Sequence, residues 1–449
     1  MTTTTTISNL PAELVEKIIS RIPLTSMRSV RLTCRNWDTL FKSRSFTELH
    51  IGKIAAAAAR EGESPPVIVL MEHQLYLMSV TANSGIDADP STQPKGKLIR
   101  NDSDQQVKIH QIYDCEGLLL CTLEDDKRIV VWNPYLGQTR WIKLRFYFEY
   151  PRDGTDRYRY ALGYDETDKT CRSYKILRFM DVNLAHWDHY VPYEPKDDPL
   201  WYEIYDFDSG EWTTLDVGNP HWFINFDSFG VSLKGNTYWK ASPRILDDGF
   251  VKYFICFDFT RNRFGPLLPL PLMALDHEPV TLSCVREEKL AVFYQKDVRA
   301  LTTKVWITQT IEAKEVSWIQ FLTLDMNPDL LGLNPCLSVG SFFIDEEKKV
   351  AVVFGKDKCT ERHKVYVIGE SGHFREVPLQ EYTDRWSLMR ACCYVPSLAQ
   401  IKQPRGGQRE QQISLAPVLE RLKISRFLSF GQQMLMTKEN GRALYLNIQ

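Results

Sequence analysis

His186 and His189 are the first residues whose spacing invites chemistry, because two imidazoles three apart can share a metal ion. A metal needs at least a third ligand, and the sequence places none, so no metal site is assigned. Asp206, Asp208 and Asp258 stand beside turns, where carboxylates accept backbone N–H groups rather than work as acids or bases. The chain has no G-x-S-x-G elbow and no glycine loop that would cradle phosphate. Its ten cysteines form no C-x-x-C pair, and most sit in apolar runs such as Leu118–Cys121 and Phe254–Cys256. They read as small buried hydrophobes of a reducing compartment. Cys392 and Cys393 are adjacent, so on a strand they face opposite ways. No catalytic residue and no cofactor is assigned.

What remains is the chemistry of contact. The segment from Asp181 to Leu200 is the longest insertion between strand-like runs and carries Trp187, Tyr190 and Tyr193. Aromatic side chains on a loop supply large contact area, so these three are candidates for gripping a partner protein. Trp222 and Phe223 form a second aromatic candidate of the same kind.

Two kinds of element must position these residues. Near the amino end, Ser8 or Asn9 can cap a helix, Pro11 fits its first turn, and Glu13 favours its N-terminus. Leu10, Leu14, Val15, Ile18, Ile19 and Ile22 then fall at helical spacing and predict one wide apolar face, stopped by Pro23. Thr25 or Ser26 can cap a second helix with Met27, Val30 and Leu32. Cys34, Trp37, Leu40 and Phe41 mark a third, with Trp37 divided between core and interface. About 45 residues hardly fold alone, and this much apolar surface asks for cover, from the chain's own β domain or from a second protein.

From about residue 110 the pattern is strand after strand, and it repeats. A strand, a turn with Gly, Asn or Asp, and a return strand led by an aromatic recur at Trp141, Trp212, Phe264, Trp318 and Phe374. These anchors lie 71, 52, 54 and 56 residues apart, and a hairpin-like pair precedes each. Four strands per unit of roughly 50 residues match a propeller blade. Residues 67–80 with 387–396 could close a sixth unit by joining the two ends. Two packed sheets of a sandwich are the competing architecture. The recurring Trp141, Trp212 and Trp318 read as packing between units. The fold class is therefore α+β multidomain: three short helices, then a mainly antiparallel β domain, propeller-like.

The first stretch carries a resemblance. Leu10-Pro11, Leu14, Ile18, Arg21-Ile22-Pro23, Val30-Arg31, Cys34-Arg35 and Trp37 with Leu40 resemble the F-box motif, with Ile for Leu at 18 and 22 and Arg for Lys at 35. The resemblance implies binding to the Skp-type adaptor of a cullin-RING ubiquitin ligase through Leu10, Pro11, Leu14, Ile18, Ile22, Pro23 and Val30. The β region resembles the F-box-associated domain found behind plant F-boxes. It does so at Tyr113–Leu120, Val131–Pro134, Ala161–Tyr164, Tyr202–Tyr205, Gly230–Trp239, Ile255–Phe259 and Tyr394–Leu398. That implies a kelch-like or propeller-like fold that recognises a protein to be ubiquitinated, without naming it. A glycan-binding or glycan-hydrolysing propeller capped by the helices is the alternative, since acids converging on the axis stay open.

Composition sets the remaining bounds. With 43% hydrophobic and 25% charged residues the chain reads as globular, and a net charge of −2 gives no reason to expect nucleic acid. Residues 1–50 carry +3 and residues 403–449 carry +4. No apolar run approaches the roughly 18 residues that span a bilayer, and Thr2–Thr6 lack the pattern of a signal peptide, so a cytoplasmic or nuclear location is expected. The expected division is a helical domain at 1–50, a connector with the first strands at 51–109, the β-repeat domain at 110–402 and a basic extension at 403–449.

Overall fold

The computed structural model describes residues 12–21, Leu40, Phe46, Leu49, Gly52, and most of 67–402. Within that last span it leaves out 81–91, 99–107, 146–157, 168–171, 182–199, 245–249, 276–279, 297–301, 326–336, 358–361, 370–373, 378–388 and a few single positions or short gaps. The second expected helix, the third apart from the helical Leu40, and the basic extension lie outside the described residues. Helix α1 (Ala12–Ile19) follows Pro11 as the cap signals predict, with Glu13 in its first turn and Lys17 in its last. It ends three residues before Ile22, where Ser20 and Arg21 turn back on the carbonyls of Glu16 and Ile18.

The strands form six antiparallel sheets. Blade 6 takes its three outer strands from the start of the domain: β1 (Val67–Met71), β2 (Gln74–Val80) and β3 (Thr92–Leu98). Blade 1 is β4 (Ile109–Cys115), β5 (Leu118–Leu123), β6 (Arg128–Asn133) and β7 (Gln138–Lys143). Blade 2 is β8 (Arg159–Asp165), β9 (Ser173–Asp181), β10 (Leu200–Asp206) and β11 (Glu211–Thr214). Blade 3 is β12 (Trp222–Phe223), β13 (Val231–Leu233), β14 (Asn236–Pro243), β15 (Phe250–Asp258), β16 (Arg263–Phe264) and β17 (Leu268–Leu275). Blade 4 is β18 (Val280–Val285), β19 (Lys289–Lys296), β20 (Thr302–Ile311) and β21 (Val316–Asp325). Blade 5 is β22 (Leu337–Asp345), β23 (Val350–Asp357), β24 (His363–Gly369) and β25 (Phe374–Val377). Finally β26 (Arg390–Cys393) becomes the innermost strand of blade 6 by pairing Val67 with Cys393 and Ile68 with Cys392.

A sheet with two apolar faces must be covered twice, and a ring of sheets does this for all of them. The core is accordingly six clusters, one between each pair of adjacent blades. The two-residue period of a strand decides which way each side chain goes. On β1, Val67, Val69 and Met71 pack toward blade 5, while Ile68 and Leu70 pack toward blade 1. The sixth unit expected from 67–80 and 387–396 is thus present, the sandwich is excluded, and β1–β3 belong to the ring rather than to a connector.

The two ends of the ring differ. At one end, short turns join first to second and third to fourth strands. Glu116–Gly117 and Lys234–Gly235 both carry positive φ at each position, the geometry of a tight hairpin turn. Asp206 and Asp258 accept the amides of Asp208, Ser209 and Arg261 there, as the sequence predicts. The strand ends that lead from one blade to the next, and the facing ends of β9 and β10, lie at the opposite end. The chain enters at Val67 on the turn end and also leaves there.

Candidate functional site

Helix α1 splits its apolar residues in two. Val15 is half-buried and Ile19 is 2% exposed, one turn apart on the inward face. Leu14 and Ile18, also one turn apart, are 46% and 44% exposed. The single wide stripe that the spacing predicts is therefore two stripes, one used by this chain and one left open. An open pair of large aliphatic side chains on a helix is a docking surface in waiting. Leu10, Pro11, Ile22, Pro23 and Val30 lie outside the described residues.

Of the aromatic candidates, Trp187, Tyr190 and Tyr193 lie outside the described residues, in the segment that joins β9 to β10. Trp222 and Phe223 are a correction: they are 6% and 3% exposed and form β12, paired to Pro243 and Ser242. The Trp222 ring sits 4.7 Å from that of Phe264 within the core between blades 2 and 3, so neither side chain can reach a partner. An aromatic run between turn signals reads equally well as loop or strand, and only the neighbouring blade decides. Trp212 and Trp318 pack between blades as expected, donating their indole N–H groups to Lys143 O and Pro269 O at 3.1 Å. Trp141 packs against the core between blades 6 and 1.

Three charged constructions escaped the sequence reading. Arg178 is sealed between blades 1 and 2, over the Tyr158 ring at 3.9 Å and the Trp201 ring at 5.2 Å, and bonds Glu203 at 3.2 Å. Burial pushes the Glu203 carboxyl up to about 7 despite that arginine. Asp181 and Arg244 form a second sealed pair that ties blade 2 to blade 3, where Asp181 also accepts the Ile224 amide at 3.0 Å. The third is a strap. Residues 394–402 leave β26 and cross the turn end of blades 1 and 2. Asn133 donates to the carbonyls of Ser397 and Ala399 at 2.9 Å, and Arg140 donates to Lys402 O at 2.6 Å and Phe207 O at 2.9 Å. Gly117 lets the strap pass, because a Cβ there would stand 2.1 Å from Val395 O. No sequence signal marks such pairs, since their members lie tens to hundreds of residues apart.

Among the described residues no group of histidine, cysteine and carboxylate side chains could hold a metal, and His186 and His189 fall outside them. Among the described residues no helix is long and apolar enough to cross a membrane.

A closed ring of six sheets behind a helix with an open aliphatic stripe defines a β-propeller protein with an N-terminal docking element. The F-box associated beta propeller domain matches residues 66–401, and the F-box domain matches residues 7–49. The chain belongs to the F-box proteins that carry this propeller. Relatives in Arabidopsis thaliana include F-box protein At2g38590, 47% identical over 445 residues that span 95% of this chain and 99% of that protein. Another is F-box/kelch-repeat protein At4g33290, 47% identical over 424 residues covering 91% and 93%. Likeness to solved structures is faint, with a TM-score of 0.36 and 9% identity to a chain of a nidogen/laminin complex, over 73% of this chain and 97% of that one.

Proposed function

We propose that the protein is a non-catalytic substrate receptor of a cullin-RING ubiquitin ligase. The F-box docks a Skp-type adaptor, and through it a cullin, using Leu10, Pro11, Leu14, Ile18, Ile22, Pro23 and Val30. The propeller holds a target protein near the ubiquitin-loaded enzyme, so that catalysis comes from effective concentration. The target contacts include Trp187, Tyr190 and Tyr193, in the sequence between β9 and β10. The reaction belongs to the cytoplasm or nucleus.

The observation that carries this reading is the open pair Leu14 and Ile18 beside a buried Ile19. Replacing both by aspartate puts two charges on the docking stripe without touching the core. Co-purification of the Skp-type adaptor should then fall to background while the propeller's melting temperature holds. Undiminished recovery of the adaptor would overturn the proposal.

A further inference from the structure

A propeller blade exposes its outermost strand, whose outward N–H and C=O groups are a template for another chain. Five of the six blades defend that edge. On β7 stands the exposed Lys143; β11 and β25 are four residues long; β17 holds Pro269 and Pro271; β3 holds Pro94, Lys95 and Lys97. Strand β21 has none of these, and the one extra residue on its side of the pairing with β20 is a bulge at Phe321. From Val316 to Leu324 it runs nine residues with no charge, no proline and no glycine, as Val-Ser-Trp-Ile-Gln-Phe-Leu-Thr-Leu.

Among the described residues β21 pairs only with β20, and no described strand lies along its outer edge. Its Trp318 is committed inward, donating to Pro269 O and packing edge-on against Phe254. Ile319, by contrast, is 45% exposed. The charges that bound the stretch in sequence are Glu315 before it and Asp325 after it.

We infer that β21 takes an extended, uncharged segment of the target protein as a fifth strand of blade 4. The inference rests on the receptor reading above and names the class of segment recognised. It is about eight residues without charge or proline, alternating small polar and aliphatic side chains, with lysine or arginine at one flank. Backbone pairing supplies the affinity, and Ile319 selects for an apolar neighbour on its face. The exposed Glu315 at the start of the edge favours a basic flank there. A single strand of this size adds a weak contact that a second contact elsewhere on the target would reinforce.

The probe is a fluorescent peptide of alternating threonine and valine, eight residues long, with a lysine at each end. It is titrated against the full chain by polarisation. Binding in the micromolar range is expected, with at least a tenfold loss when the two central residues of the peptide are prolines. An Ile319→Lys chain should lose at least tenfold, because it places a charge on the edge. A Met273→Lys chain, altered at a still more exposed apolar position on the proline-guarded β17, should bind as the unaltered chain does. Amide exchange on β21 should slow when peptide is added.

Equal binding of the proline peptide, or of the Ile319→Lys chain, would overturn the inference. So would slow exchange on β21 before any peptide is added, which would mean that the chain covers its own edge. Self-association lost on Ile319→Lys would overturn it too, in favour of a second copy as the occupant. Adaptor recovery, scored separately, reports on the receptor reading alone.

Discussion

Leu14 and Val15 are neighbours in sequence with opposite assignments, and they give a sharp test at the scale of single side chains. Burying an aliphatic side chain is worth about 1.5–3 kcal/mol, so Leu14→Ala with Ile18→Ala should weaken adaptor binding by about 100-fold or more. The same pair should leave the thermal melt unchanged. Ile19→Ala empties a buried site and should cost about 2–4 kcal/mol of local stability. Calorimetric titration and melting curves on both variants separate the two roles. Glu203 offers a second test. Its carboxyl titrates near 4.5 when unfolded but at about 7 in the fold, chiefly because it is buried. Between those values the native state keeps a proton that the unfolded state has released. Stability therefore falls as pH rises from about 4.5 to about 7 and is level above that. Replacing Glu203 with glutamine should remove on the order of 1–3 kcal/mol of that decline, read from melts at pH 5 and pH 8. Arg178→Met should do worse than either, because it strands a carboxylate between blades 1 and 2.

At the scale of elements, the strap is where sequence and structure part. Helix α1 and the hairpins were legible because their signals are local: Pro11 before a periodic run, and Lys234-Gly235 between alternating strands. The strap has no such signal. Its partners Asn133, Gln138 and Arg140 lie more than 250 residues upstream, and nothing about an asparagine at the end of β6 announces Ser397 and Ala399. The same limit misplaced Trp222 and Phe223, whose burial is decided by Phe264 and blade 2. Two truncations measure what the strap does. Stopping after Lys402 removes only the basic extension and should leave the melt in place. Stopping after Pro396 removes the bonds from Asn133 and Arg140 and the buried Ile401 side chain, a loss of about 3–5 kcal/mol. A melt that drops equally for both truncations would place that stability in residues 403–449 instead.

Across the whole molecule, ring closure depends on one strand pairing between the two ends of the domain. Repetition of four strands made a propeller readable, yet the ring exists only because β26 inserts beside β1, and this fixes more than stability. Val67, where the described chain enters the ring, and Tyr394, where the strap begins, both lie at the turn end. The closure itself can be stapled. Val67 lies directly opposite Cys393 on antiparallel neighbours, where the Cα atoms of paired residues stand about 4.5–5.5 Å apart, within the reach of a disulfide. Val67→Cys should oxidise to an intramolecular bridge that joins residues 67 and 393 across the entire domain. Such a bridge constrains the unfolded chain most when its loop is long, and about 2–4 kcal/mol is typical. The variant should therefore melt higher oxidised than reduced, a comparison in which the lost valine methyls cancel. Mass analysis of the digested product identifies the bridge. Oxidation that yields only linked pairs of chains, or a bridge that leaves the melt unmoved, would mean that unfolding does not begin at this seam.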